Sequence, residues 1–223
     1  MEPNELLISK EKNISFRYLY FVIKRTFDVF VSLIGIIFLL PLVCFVKIFY
    51  VFSGDFSSIF FKQKRLGKNG HFIYIYKFRT MVPNAEEVLA KWLLDNEDIR
   101  EEYYRTRKID NDPRITKIGK ILRATSLDEF PQFINIFKGD MSLIGPRPIV
   151  PDEIENYEGE KADLFLSVRP GLTGYWAVNG RSNTTYEERV ELELYYVKNC
   201  SIILDIKIIV FTFLTVLKRD GAK

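Results

Sequence analysis

The adjacent carboxylates Asp128 and Glu129 are one place in this 223-residue sequence where covalent chemistry could be built. Part of the reason is elimination. The single histidine, His71, argues against a His-based triad or a multi-histidine metal centre. The two cysteines, Cys44 and Cys200, share no motif spacing, which reads as no disulfide, no zinc site and a reducing compartment. Catalysis then falls to carboxylates, Lys/Arg or hydroxyls. Ser126-Leu127-Asp128-Glu129 has the S-x-x-E form of a capping box, and Pro131 is tolerated only near a helix start. The pair would lie at the positive end of a helix, where the field favours an ionised carboxylate and attracts phosphate. Such a carboxylate can attack phosphorus and form an acyl phosphate if a cation neutralises the substrate. Mg²⁺ is the usual cation for oxygen ligands and phosphates, with Asp128 and Glu129 as its candidate ligands. Taken alone, the same four residues read more readily as a plain helix cap.

Cations for a phosphate are available. Lys77 and Arg79 are two apart on an expected strand and so share a face, as a phosphate clamp or as an exposed charged surface. Arg147 stands between Pro146 and Pro148, whose fixed φ presents the guanidinium with little backbone freedom, as a bidentate phosphate contact requires. A rigid turn with an incidental arginine fits equally well.

These residues must be positioned by elements with strong membrane character. Val29–Val46 carries no charge and is about the minimum length for crossing a bilayer. Asp28 and the long leader before it argue against a signal peptide. Pro41 favours a bend, and basic residues flank both ends: Lys10, Lys12, Arg17, Lys24 and Arg25 before, Lys47, Lys62, Lys64 and Arg65 after. That symmetry suits a re-entrant hairpin with both ends in the cytoplasm, a kinked span being the other reading. Ile202–Leu217 is amphipathic, with Ser201, Asp205, Thr212, Thr215 and Lys218 on one side, as in a helix at the interface or covering the core. Net charge +3 and pI near 8.7 permit anionic partners without the bias of a nucleic-acid protein, so no nucleic acid is expected.

Between these segments, Ser57–Met81 reads as a small β-hairpin turning at Gly67-Lys68-Asn69-Gly70, with Phe72, Tyr74, Tyr76 and Phe78 alternating. Residues 83–107 read as acidic helix. A short basic helix starts at Asp112-Pro113, with Lys117, Lys120 and Arg123 opposite Ile115, Ile118, Ile121 and Leu122. Ser126–Lys138 is a further helix, and Gly145–Pro148 and Arg169-Pro170-Gly171 mark rigid loops. Thr184/Thr185 with Glu187/Glu188 offer capping boxes for a helix reaching about Lys198. The Asn13 and Asn183 sequons read as chance matches. The fold class is α/β, mostly α. Residues 1–20 form a tail, 21–55 a membrane hairpin, and 56–223 a catalytic domain at the membrane surface.

Several blocks resemble bacterial monotopic phosphoglycosyl transferases: Ser126–Asn135, Gly139–Pro148, Arg169–Gly174, Lys24-Arg25-x-Phe-Asp28, Gln63-x-Arg65-x-Gly67 and Lys77-x-Arg79-x-Met81. The resemblance runs from about residue 20 to the C-terminus. It implies a re-entrant helix in the bacterial inner membrane, a cytoplasmic active site and a ping-pong mechanism. Asp128 would attack the β-phosphorus of a UDP-sugar and expel UMP, and undecaprenyl phosphate would then accept the phosphosugar. Glu129 would assist with Mg²⁺ and protons, and Arg147 would hold phosphate, with Arg123, Lys77 and Arg79 as phosphate or structural contacts. The 83–112 insertion and the ending Leu217-Lys-Arg-Asp-Gly-Ala are similar to the branch that moves galactose 1-phosphate or glucose 1-phosphate for surface polysaccharide. Larger members of that branch have further membrane helices and a soluble domain, and this chain is expected to be the catalytic core alone.

Two other functions fit the residues less completely: a non-enzymatic membrane adaptor, and a phosphohydrolase that needs no lipid acceptor. The oligomeric state stays open, a homodimer included.

Overall fold

The apolar run Val29–Val46 lies inside one long helix, α1 (Pro3–Phe52), which continues through Pro41. Pro41 has no N–H for the Ile37 carbonyl, so one helix bond is missing in the middle of the run. This computed structural model describes residues 3–106, 109, 112–180 and 184–218. α1 begins at Pro3, so residues 3–20 continue the same helix where a separate tail was expected. By length and composition α1 could cross a membrane. Asn183 and most of the ending after Leu217-Lys218 lie outside the described residues.

The expected hairpin forms. β1 (Phe60–Leu66) pairs antiparallel with β2 (Phe72–Phe78), and Asn69 and Gly70 take positive φ in the turn. The acidic stretch folds as α2 (Ala85–Asp95) and α3 (Glu97–Thr106). The basic helix α4 (Lys117–Ala124) starts later than its expected Asp112-Pro113 boundary. Thr116 is the cap, its hydroxyl accepting from the Gly119 N–H, while Asp112 is occupied by a bidentate pair with Arg114.

A 3₁₀ turn (Leu127–Glu129) leads into α5 (Gln132–Lys138). Asn135 on α5 is fully buried. Its side chain accepts from the Tyr76 N–H and donates to the Tyr74 carbonyl, so it bonds the free edge of β2 as a neighbouring strand would. The far end of α5 is held by cations, as its orphan carbonyls require. Arg25 donates to the Ile136 and Phe137 carbonyls and Arg169 to that of Gly139.

The two proline loops meet in a short parallel pair, β3 (Ser142–Ile144) with β4 (Gly171–Thr173). A Cβ on Gly145 would sit 2.5 Å from the Arg169 carbonyl, and one on Gly171 2.1 Å from the Gly145 nitrogen, so only glycines allow this approach. α6 (Glu160–Leu166) and α7 (Tyr175–Asn179) flank the pair. α8 (Tyr186–Asn199) starts at a complete Thr185–Glu188 capping box, as its sequence spells out.

The last helix, α9 (Ile202–Lys218), turns its polar side inward. Asp205 is buried and accepts from Tyr20 (3.0 Å), Tyr196 (2.8 Å) and Lys24 (2.8 Å), and Thr212 bonds Thr173. Ile203, Ile206, Val210, Phe211 and Phe213 are exposed, as are Phe30, Ile37, Phe38 and Leu40 on α1. An apolar surface of this size is the mark of a lipid or partner contact. Among the described residues the fold is therefore mostly helical with two small sheets.

Asp205 is the acceptor that closes α1 onto α9, with Lys24 desolvated beside it. Asp205→Ala should remove about 3–5 kcal/mol of stability, lowering Tm by roughly 10 °C in a chain of this size. Thermal unfolding in detergent checks this; an unchanged Tm would mean that Lys24 finds another partner.

Candidate active site

Asp128 and Glu129 sit on the 3₁₀ turn between α4 and α5, at the edge of a cleft of about 1090 Å³. The capping box expected at Ser126 does not form. Ser126 takes φ 55°, ψ 17° and makes no side-chain cap bond. Its N–H is used by the Arg123 carbonyl in the turn that ends α4, which leaves the residue left-handed. The carboxylates are thus placed by a strained turn between two helices, with Pro131 leading into α5.

The dyad is asymmetric. Glu129 Oε1 lies 2.7 Å from Lys77 Nζ, a pair that ties the turn to β2. Asp128 is half-buried, and burial first and the Glu129 carboxylate second push its pKa above the ordinary 3.8. Lys77 and Arg123 oppose that rise. Asp128 is therefore poorly solvated yet next to two cations, a setting in which an anionic oxygen keeps its reactivity towards phosphorus.

Lys77 and Arg79 do not converge on one anion. The strand ends at Phe78, and the Arg79 guanidinium donates to the Ser58 and Met81 carbonyls and to Asp55 at 2.9 Å. It also stacks 4.4 Å over Tyr50, whose hydroxyl bonds the Arg79 carbonyl. Arg79 lines the cleft, but its fork is held by the segment after α1. Arg123 donates from Nε to Thr80 and also lines the cleft. Arg147 projects into it between Pro146 and Pro148, its Cζ 5.8 Å from the Trp176 ring centre. Pro146 accepts from the Gly171 N–H, which holds this loop against β4.

Four residues of the site had no role assigned from sequence: Arg65, Trp176, Arg189 and Glu193. Glu193 is 1% exposed, accepts from the Arg147 N–H at 3.1 Å, and has its pKa pushed up by burial to about 7. Arg65 already stood in the Gln63-x-Arg65-x-Gly67 block. For Arg189 and Glu193 the local signal is their i,i+4 spacing on α8.

Among the described residues no cluster of three or more His, Cys, Asp and Glu side chains could hold a metal. Asp128 and Glu129 are carboxylates of the type Mg²⁺ takes, although Glu129 Oε1 is already bonded to Lys77, and such an ion would draw its remaining ligands from substrate phosphate and water.

The family described as bacterial sugar transferase matches residues 19–219. An uncharacterized sugar transferase of Haemophilus influenzae is 45% identical over 201 residues, covering 90% of this chain and 42% of the relative. The undecaprenyl-phosphate galactose phosphotransferase of Salmonella typhimurium is 42% identical over 217 residues, covering 97% and 45%. The exopolysaccharide production protein ExoY of Sinorhizobium fredii is 42% identical over 199 residues, covering 89% and 87%. The chain therefore spans less than half the length of the first two and most of the third.

The raised pKa of Asp128 carries a stability signature. A carboxylate whose folded pKa lies above its unfolded value stabilises the fold below pH 3.8 and loses that contribution as pH rises through the folded pKa. Asp128→Asn, neutral throughout, should melt above the wild type at pH 7, with the gap closing towards pH 3.8. A variant that melts below the wild type at pH 7 would show that the anion is net stabilising.

Proposed function

Because the chain belongs to the bacterial sugar transferase family, we propose that it transfers a hexose 1-phosphate from a UDP-sugar to undecaprenyl phosphate and releases UMP. The observation that supports this best is the half-buried Asp128 at the rim of a large cleft that Lys77, Arg123 and Arg147 also line. A diphosphate brings negative charge to be offset, and these cations supply the opposite charge, Lys77 from a half-buried position and Arg123 and Arg147 from exposed ones.

In the first half-reaction an Asp128 Oδ attacks the β-phosphorus, an acyl-phosphate bond forms, and the bond to the α-phosphate oxygen breaks with its electron pair leaving on UMP. In the second, an oxygen of undecaprenyl phosphate attacks the same phosphorus and Asp128 leaves as the carboxylate. Glu129, bonded to Lys77, would assist with proton transfer beside Asp128. Asp128 and Glu129 would hold Mg²⁺, which when bound offsets diphosphate charge. Galactose 1-phosphate is the favoured cargo, on the analogy of the Salmonella relative's name.

A lipid acceptor requires the cleft to face a bilayer, and the contacts of α1 support a re-entrant geometry with both ends on the cytoplasmic side of the inner membrane. Before the apolar run, Asp28 accepts from the Leu143 N–H. In the middle, a Cβ on Gly35 would fall 2.4 Å from the Phe133 ring. At its end, Val46 and Tyr50 pack with Ile59, Phe78, Ile118 and Leu122. One body thus touches α1 before, within and at the end of the run, while the unbroken helix still holds the two ends of the run roughly 27 Å apart. The outward apolar face of α9 would rest on the same leaflet.

Detergent-solubilised chain with UDP-galactose, Mg²⁺ and undecaprenyl phosphate should release UMP, and Asp128→Asn should lower the rate by at least about a thousandfold, as loss of a nucleophile does. Chelation of Mg²⁺ should also stop release. Retained activity in Asp128→Asn would remove Asp128 as nucleophile, release without lipid acceptor past one turnover would indicate a hydrolase, and no release from any UDP-sugar would favour an adaptor.

Topology is tested separately. Cysteine labels placed at each end of Val29–Val46 should react only from the cytoplasmic side of membrane vesicles; labelling from opposite sides would make the segment a span.

A further inference from the structure

Three arginines from distant parts of the chain crowd the Trp176 side of the cleft. Arg189 of α8 has its Cζ 4.9 Å from the Trp176 ring centre, Arg147 approaches the same ring, and Arg65 of β1 lines the adjoining recess with Arg147, Trp176 and Glu193. Their compensation is incomplete. Arg65 donates one Nη2 bond to Gln63 Oε1 at 2.7 Å, and Arg189 Nη2 is 3.5 Å from Glu153 Oε2, an ion pair without hydrogen-bond geometry. Among the described residues, the buried Arg65 Nε and Arg189 Nε and Nη2 find no acceptor. Burial, and then repulsion from Arg147 and Arg189, lowers the pKa of Arg65. Against these three cations stand Glu153 and the buried Glu193, whose own pKa is raised to about 7.

Buried donors without acceptors and like charges held together both cost free energy, and one anion with several acceptor oxygens relieves both. The protein's carboxylates meet this need only in part: Glu153 Oε2 lies 3.5 Å from Arg189 Nη2, and neither it nor Glu193 Oε2 makes a hydrogen bond. We propose that Arg65 and Arg189, walled by Trp176, form a second phosphate subsite beside Arg147 that holds the nucleoside-monophosphate half of the donor. The inference rests on the donor being a nucleoside diphosphate sugar. As the phosphorus–oxygen bond breaks, the departing phosphate gains one negative charge, and these guanidiniums receive it without a proton transfer. The subsite thus serves the first half-reaction and is idle in the second.

The test compares UMP with uridine, which lacks the phosphate, by calorimetric titration of the full chain in detergent. Wild type and Asp128→Asn should both prefer UMP. Arg65→Gln and Arg189→Gln should each weaken UMP binding by about tenfold or more while uridine binding stays the same. Arg189→Lys, which keeps the charge and loses the fork, should fall between. Equal affinity of the wild type for UMP and uridine overturns the subsite with no variant needed. So does an arginine variant that loses UMP and uridine in the same proportion, or one that binds UMP like the wild type. These outcomes separate from the proposed activity: UMP release that is indifferent to both arginines removes the subsite alone. A UMP preference without release from any UDP-sugar leaves the subsite standing and removes the transferase reaction.

Discussion

The Lys77–Glu129 ion pair is the joint that ties the candidate site together. It connects β2 to the 3₁₀ turn, and it keeps one member of a carboxylate pair committed to a cation. The other member, Asp128, is then the one exposed to conflicting demands. Burial and its neighbour's charge oppose ionisation, while Lys77 and Arg123 favour it. Two adjacent carboxylates without such a division would compete for the same proton and the same cation. With it, Glu129 is bonded to Lys77 and Asp128 is left out of that bond.

The scaffold around this joint satisfies backbone groups with long-range side chains where regular structure runs out. Asn135 completes the edge of β2, Arg25 and Arg169 close the end of α5, and Glu193 holds the Arg147 nitrogen. Each of these reaches across from another element, so the short helices and three-residue strands around the cleft are cross-linked to one another. That explains how a site with so little sheet can present groups in fixed positions.

What the sequence revealed follows the range of the interactions involved. The Thr185–Glu188 box was legible because both partners are three residues apart and nothing else competes for them. The same pattern at Ser126 misled, because the turn ending α4 took the Ser126 N–H and forced a left-handed backbone. Parity along a strand suggested that Lys77 and Arg79 act together, but the strand stops at Phe78 and Asp55 lies within reach of Arg79. The helix at Asp112 started late because Arg114 captured the capping carboxylate. The polar stripe of α9 was readable; that it faces inward depends on Tyr20 and Lys24, more than 180 residues away in the chain, and no local pattern carries that. The arginine cluster is hidden for the same reason, since β1, the proline loop and α8 contribute one member each.

The contact between Gly35 and Phe133 has a consequence for how the molecule sits in lipid. With no room for a Cβ between them, α1 cannot slide along α5, and the insertion depth of the helix and the elevation of the carboxylate pair become one quantity. In the proposed re-entrant placement the bilayer would act as a datum plane, and the helix as a gauge setting the height of Asp128 above it. A substrate phosphate anchored in that plane by its own hydrocarbon tail would meet the proposed nucleophile by lateral diffusion alone, a search in two dimensions with the third already chosen.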